Sequence, residues 1–123
     1  MAIIRSTVDK NSSNYVSNYD YNKRILSELD NLKNKIHKMG PPSNLDRHRA
    51  KGKLTARERI QVLKDSQSFF LELSELAAYK VYDEHLPAAG IVTGLITILG
   101  RKCVVIANDA TVKGGSYFPL TVK

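Results

Sequence analysis

One hundred and twenty-three residues, 42% hydrophobic and 25% charged, fit one globular domain of ordinary size and exclude a disordered chain, and no apolar run nears the roughly 20 residues of a membrane span. The formal net charge of +7 points to an anionic partner: nucleic acid, a phosphorylated metabolite or an acidic protein. The single Cys103 excludes an internal disulfide, and with only His37, His48 and His85 beside it there is no zinc-type spacing.

The start, Met1 to Arg5, carries neither a secretory apolar core nor an acid-poor transit peptide, since Asp9 arrives early, so a cytoplasmic location is expected. Residues 1–18 are rich in Ser and Asn without periodicity and read as a flexible arm. From about Tyr19 to Met39, Ile25, Leu29, Leu32 and Ile36 recur at steps of four, three and four, the pattern of an amphipathic helix. Gly40 is expected to supply its left-handed stop, and Pro41-Pro42 forbid its continuation. Tyr15, Tyr19 and Tyr21 near its start read as packing anchors in preference to stacking residues for a nucleic acid.

Ser43 to Lys53 reads as a basic loop. Between Arg47 and Arg59 stand six cations, Arg47, Arg49, Lys51, Lys53, Arg57 and Arg59, against Glu58, so most of the excess charge sits in one segment. Thr55 with Glu58 three residues on is a capping box that starts a short second helix with Ile60 and Leu63 inward. Lys51 and Lys53 would then precede a helix N-terminus, where free N–H groups favour a phosphate.

Phe69 to Leu73 is a short apolar segment that Ala77 to Tyr82 could continue. Ile91 to Leu99 and Cys103 to Ala107 read as two strands of a hairpin turning at Gly100-Arg101, type II′, with Cys103 a small core residue. Both alternating sets of the first strand are apolar, so the sheet should be covered on both faces. The second strand leads into Asn108 to Ser116, where Lys113, Gly114 and Gly115 stand together; this is either an ordinary glycine turn or a site for a phosphate-bearing ligand. The chain stops at Leu120-Thr121-Val122-Lys123 without a closing signal, which reads as a truncation.

Arg49 to Ile60, Phe70 to Leu73, Gly90 to Gly94 and Ile106 to Tyr117, in this order and spacing, resemble the start of the carboxyltransferase (beta) subunit of biotin-dependent acyl-CoA carboxylases. Ala110 and Lys113, where propionyl-type members tend to carry phenylalanines, resemble the methylcrotonyl-CoA branch, to which geranyl-CoA carboxylases are close. The resemblance implies an α/β fold, the N-terminal portion of a crotonase-like (ClpP/crotonase) domain occupying residues 41–123 and preceded by the amphipathic helix at 19–40. It implies transfer of a carboxyl group from carboxybiotin, carried by a partner alpha subunit with biotin carboxylase, to an acyl-CoA, in a homo-oligomer of beta subunits and without a metal. Preorganised backbone N–H donors stabilise the enolates of such a reaction. The resemblance places those donors on later glycine-pair turns, so these 123 residues are expected to be inactive alone. Lys51, Lys53, Arg57 and Lys113, with Gly114 and Gly115, are the expected CoA-phosphate contacts. A basic nucleic-acid-binding module and a ligand-free assembly fragment are the alternative readings; no membrane partner is expected.

Overall fold

The structure, a computed structural model, describes residues 6–122; the expectations that fall on Met1–Arg5 and on Lys123 lie outside the described residues. Contacts divide the chain into two units, one through Leu32 and the other from Lys33 onward.

In the first unit, helix α1 (Ser13–Ile36) begins six residues before Tyr19, inside the stretch expected to be an arm. The reason is local. The Ser12 hydroxyl donates to the Asp9 carbonyl at 2.8 Å and accepts from the Tyr15 amide at 3.3 Å, which caps a helix that composition alone does not reveal. Tyr15 and Tyr19 stack at 6.3 Å, and Lys23 and Arg24 lie over the rings of Tyr19 and Tyr21. Tyr19 and Tyr21 remain exposed, as do Ile25 and Leu29 of the apolar stripe.

The second unit opens with the last turn of α1, where Ile36 is buried. Lys33 and His37 both bond the Glu75 carboxylate, at 3.0 and 2.6 Å. Partial burial works against ionisation of Glu75, but these two partners outweigh it and hold its pKa below the ordinary carboxylate value. The left-handed stop is Met39, with φ 56°, and not Gly40. Gly40 is needed for a different reason, close approach, described below. The supposed basic loop contains helix α2 (Pro42–Ala50): Pro42 sits in its first turn, where a missing N–H costs nothing, and Arg47, His48 and Arg49 fill its last turn, complementing the helix dipole. Proline was legible as a stop for α1 and equally serves as a start for α2.

The capping box is present as read. Thr55 Oγ1 accepts from the Glu58 amide and Glu58 Oε2 accepts from the Thr55 amide at 2.7 Å, opening α3 (Ala56–Leu63). Strands β1 (Leu71–Leu73), β2 (Ile91–Ile98) and β3 (Arg101–Asn108) form an antiparallel sheet in that order. The hairpin turns at Leu99-Gly100, one residue earlier than expected, with φ of 49° and 74°. Both are left-handed, so the turn is of type I′ character and not II′. Asp65 makes this tolerable: its two carboxylate oxygens accept from the Leu99 and Gly100 amides at 2.7 and 2.9 Å. Ala77 to Tyr82 does not continue β1; positive φ at Ser74, Ala78 and Lys80 bends it into successive turns.

Helix α3 packs on β2 and β3, and Ile60, Val92 and Ile96 are buried in the core. The opposite face of the sheet aligns Leu71, Leu95 and Val104 in one row and Leu73, Thr93 and Ile106 in the next. Leu71, Leu95, Val104 and Ile106 are exposed, so the cover expected for the second face is not found among the described residues. Cys103 is half-buried on the covered side, opposite Ile96.

Candidate functional site: a basic cleft under a latched loop

The loop after β3 alternates anchors and exposed positions. Asp109, Thr111 and Val112 are buried, while Ala110, Lys113 and Gly114 are exposed. Asp109 Oδ1 accepts from the Thr111 amide at 2.8 Å and from its hydroxyl at 2.6 Å. The same hydroxyl oxygen accepts from the Gly40 amide at 3.2 Å, and the Thr111 carbonyl accepts from Asn44 Nδ2 at 3.0 Å. Asn108 Nδ2 donates to the Gly115 carbonyl at 2.9 Å, closing the loop on itself. Lys113, Gly114 and Gly115 all have positive φ, a run that only the two glycines make inexpensive.

This arrangement lays the loop beside α2. A polar cleft of about 250 Å³ is lined by Asn44, Arg47, His48, Lys51, Lys53, Ala110 and Gly114. His48 Nε2 donates to the Leu54 carbonyl at 3.0 Å and so pins the Lys51-Gly52-Lys53 turn at the rim. Three cations therefore face a loop in which a glycine removes side-chain bulk, a setting suited to a phosphate group.

Of the six residues singled out from sequence, the structure brings together Lys51, Lys53 and Gly114. Lys113 forms an ion pair with Glu84, and Gly115 supports Asn108. Arg57 lies elsewhere: its Nε donates to Glu72 Oε2 at 2.9 Å, its Nη2 bonds the other oxygen, and its Nη1 reaches the His37 carbonyl at 3.4 Å. The N-terminus of α3, where a phosphate was expected beside Lys51 and Lys53, is capped by the Glu58 carboxylate. Hydrogen bonding by the Thr55 amide, then by Arg49 and the Thr55 hydroxyl, lowers the Glu58 pKa from 4.5 to about 2. Arg47 and Asn44 were not singled out from sequence as ligand contacts; Arg47 stood only in the charge count, and the helical spacing that aligns 44, 47, 48 and 51 was hidden by reading this stretch as a loop. Among the described residues no cluster of three His, Cys, Asp or Glu could hold a metal ion.

Residues 47–123 match the family model described as the carboxyl transferase domain. The chain is 46% identical over 122 residues to the Drosophila melanogaster protein named probable methylcrotonoyl-CoA carboxylase beta chain, mitochondrial, covering 98% of this chain and 21% of that one. It is 47% identical over 104 residues to the biotin-dependent 3-methylcrotonyl-coenzyme A carboxylase beta1 subunit of Mycobacterium tuberculosis, covering 85% of this chain and 20% of that one. Among solved structures it is similar to the beta subunit of Pseudomonas aeruginosa geranyl-CoA carboxylase, with a TM-score of 0.84 and 29% identity over 97% of this chain and 22% of that one. A transcarboxylase 12S structure matches with a TM-score of 0.68 and 33% identity, over 74% of this chain and 18% of that one. The chain thus spans about a fifth of the length of these relatives.

Proposed function

Because the chain belongs to the carboxyl transferase domain family, we propose that it is the acyl-CoA-binding beginning of a methylcrotonyl-type carboxyltransferase beta subunit. Its fold is the N-terminal portion of the crotonase-like fold of the beta subunits it resembles. The observation that carries the functional reading is the meeting of Arg47, Lys51 and Lys53 with Ala110 and Gly114 in one cleft. These segments are more than fifty residues apart in sequence and converge only through the fold. The phosphates of CoA are the anion proposed for this cleft, where part of the charge excess gathers.

The cleft does not fit biotin, whose ureido ring and aliphatic chain are uncharged. Biotin on a partner alpha subunit supplies the carboxyl group, and the described residues contribute to holding the acceptor. Lys113 borders the cleft through its neighbour Gly114 and is kept as a fourth cation for the same ligand, released from Glu84 when the ligand binds. The 123 residues alone are expected to bind substrate without transferring carboxyl groups. Assembly with further beta subunits and with the alpha subunit belongs to the same proposal, as does a cytoplasmic location; among the described residues no helix is long and apolar enough to cross a membrane. The relatives are carboxylase chains, which favours acyl-CoA over the nucleic-acid alternative as the source of the phosphate.

Calorimetric titration of the 123-residue chain with CoA, with mononucleotides and with a duplex DNA tests this reading. Preference for CoA is expected; equal binding of all three, or salt-sensitive binding of DNA alone, would overturn it.

A further inference from the structure

We propose that Asp109 and Thr111 are positioning residues that set the geometry of the basic cleft, an inference that rests on the reading of that cleft as a phosphate site. Neither side chain lines the cleft. Both are about 1% exposed and fix the loop that does.

The proton arrangement is determined by chemistry. A carboxylate oxygen only accepts, so the Thr111 hydroxyl donates its one proton to Asp109 at 2.6 Å. Its lone pairs are thereby directed to the Gly40 amide, and the threonine links the loop to the junction of α1 and α2. The Thr111 carbonyl bonds Asn44, on the first turns of the helix whose far end carries Arg47 and leads to Lys51. One residue thus ties the loop to the α1–α2 junction and to α2, and with it Ala110 and Gly114, its neighbours in the loop, are held at the cleft.

The choice of aspartate is informative. Its second oxygen, Oδ2, is buried and has no hydrogen-bond partner among the described residues, a costly arrangement for a charged group. What the charge provides is two short, charge-assisted bonds to Thr111, and with them a rigid loop. Tolerance of an unpaired buried carboxylate oxygen beside a proposed binding loop fits a demand for position over stability.

The test uses the 123-residue chain with two readouts, CoA affinity by calorimetry and hydrogen exchange of the Lys113 and Gly114 amides. Thr111→Val keeps shape and removes the hydroxyl; it is expected to weaken CoA binding about tenfold and to speed loop exchange by a similar factor, with α3 exchange unchanged. Thr111→Ser, which restores the hydroxyl, should return both to near the original values. Asp109→Asn is expected to speed loop exchange about fivefold, and carries the test should Thr111→Val not fold. Original loop exchange and affinity in Thr111→Val, or original loop exchange in Asp109→Asn, overturns the proposal. If the unaltered chain does not bind CoA, the cleft reading fails, while the exchange rates still decide whether the latch exists.

Discussion

Gly40 and Thr111 approach so closely that no side chain fits between them: an ideal β-carbon on Gly40 would lie 2.0 Å from the Thr111 carbonyl oxygen. The backbone of the α1–α2 junction and that of the loop are in direct contact, although Gly40 and Thr111 are 71 positions apart in sequence. Gly40→Ala must push the two apart. We expect a loss of about 2 kcal/mol or more of unfolding free energy, from overpacking together with the strained Gly40 to Thr111 bond, read by urea denaturation. A change under 0.5 kcal/mol would mean that the contact is looser than described.

Arg57 is expected to act on stability more than on ligand binding. Its pair with Glu72 is largely buried, with side chains 17% and 10% exposed. Arg57→Ala leaves Glu72 without its bidentate partner and is expected to cost about 2–3 kcal/mol, less than a fully buried pair because some solvent reaches it. CoA affinity of the folded variant should stay within about twofold. A selective loss of CoA binding with stability intact would return Arg57 to the ligand site.

The capping box of α3 gives a pH signature. The Glu58 carboxyl titrates at about 2 in the folded chain against an ordinary 4.5. A depressed folded pKa contributes stability that is fully present above about pH 4.5 and is lost as the pH falls toward 2. The stability difference between the original chain and Glu58→Gln should therefore shrink through that window. Thr55→Ala, which removes the other half of the box, should cost about 1 kcal/mol at neutral pH.

At the hairpin, Asp65→Ala removes the acceptor for two turn amides and should cost about 1–2 kcal/mol. Leu99 is exposed and left-handed, so Leu99→Asn should stabilise the chain by about 0.5–1 kcal/mol. Thermal unfolding of both variants checks the pair; destabilisation by Leu99→Asn would contradict the turn geometry.

How much of this was legible in the sequence depended on how local each signal is. The Thr55/Glu58 box is a reciprocal contact across three residues and was read correctly, as were the two long strands with their β-branched runs. Helix α2 was missed because its Ser, Asn, Asp, Arg and His residues show no apolar period, and its start depends on a proline that also ends α1. The hairpin slipped by one residue because Gly100 was assigned the first turn position, whereas Asp65, 34 residues away from Leu99, lets Leu99 take it. The family motifs drew attention to the loop and to the cations Lys51, Lys53, Arg57 and Lys113. The partition among them, Lys51 and Lys53 in one cleft, Arg57 with Glu72 and Lys113 with Glu84, is a matter of tertiary placement that spacing does not encode. Asp109 had a local signal, an Asx turn onto Thr111 two residues on. Its role as a latch needed Gly40 and Asn44.

The most direct measurement of the central claim is CoA affinity across a charge-reversal series, Lys51→Glu, Lys53→Glu and, as a cation outside the cleft, Lys64→Glu, by calorimetry at fixed ionic strength. Loss of at least about tenfold for each of the first two, with Lys64→Glu within about twofold, is the predicted result. Equal modest losses at all three positions would contradict it, because the chain would then attract CoA by net charge and not through a cleft.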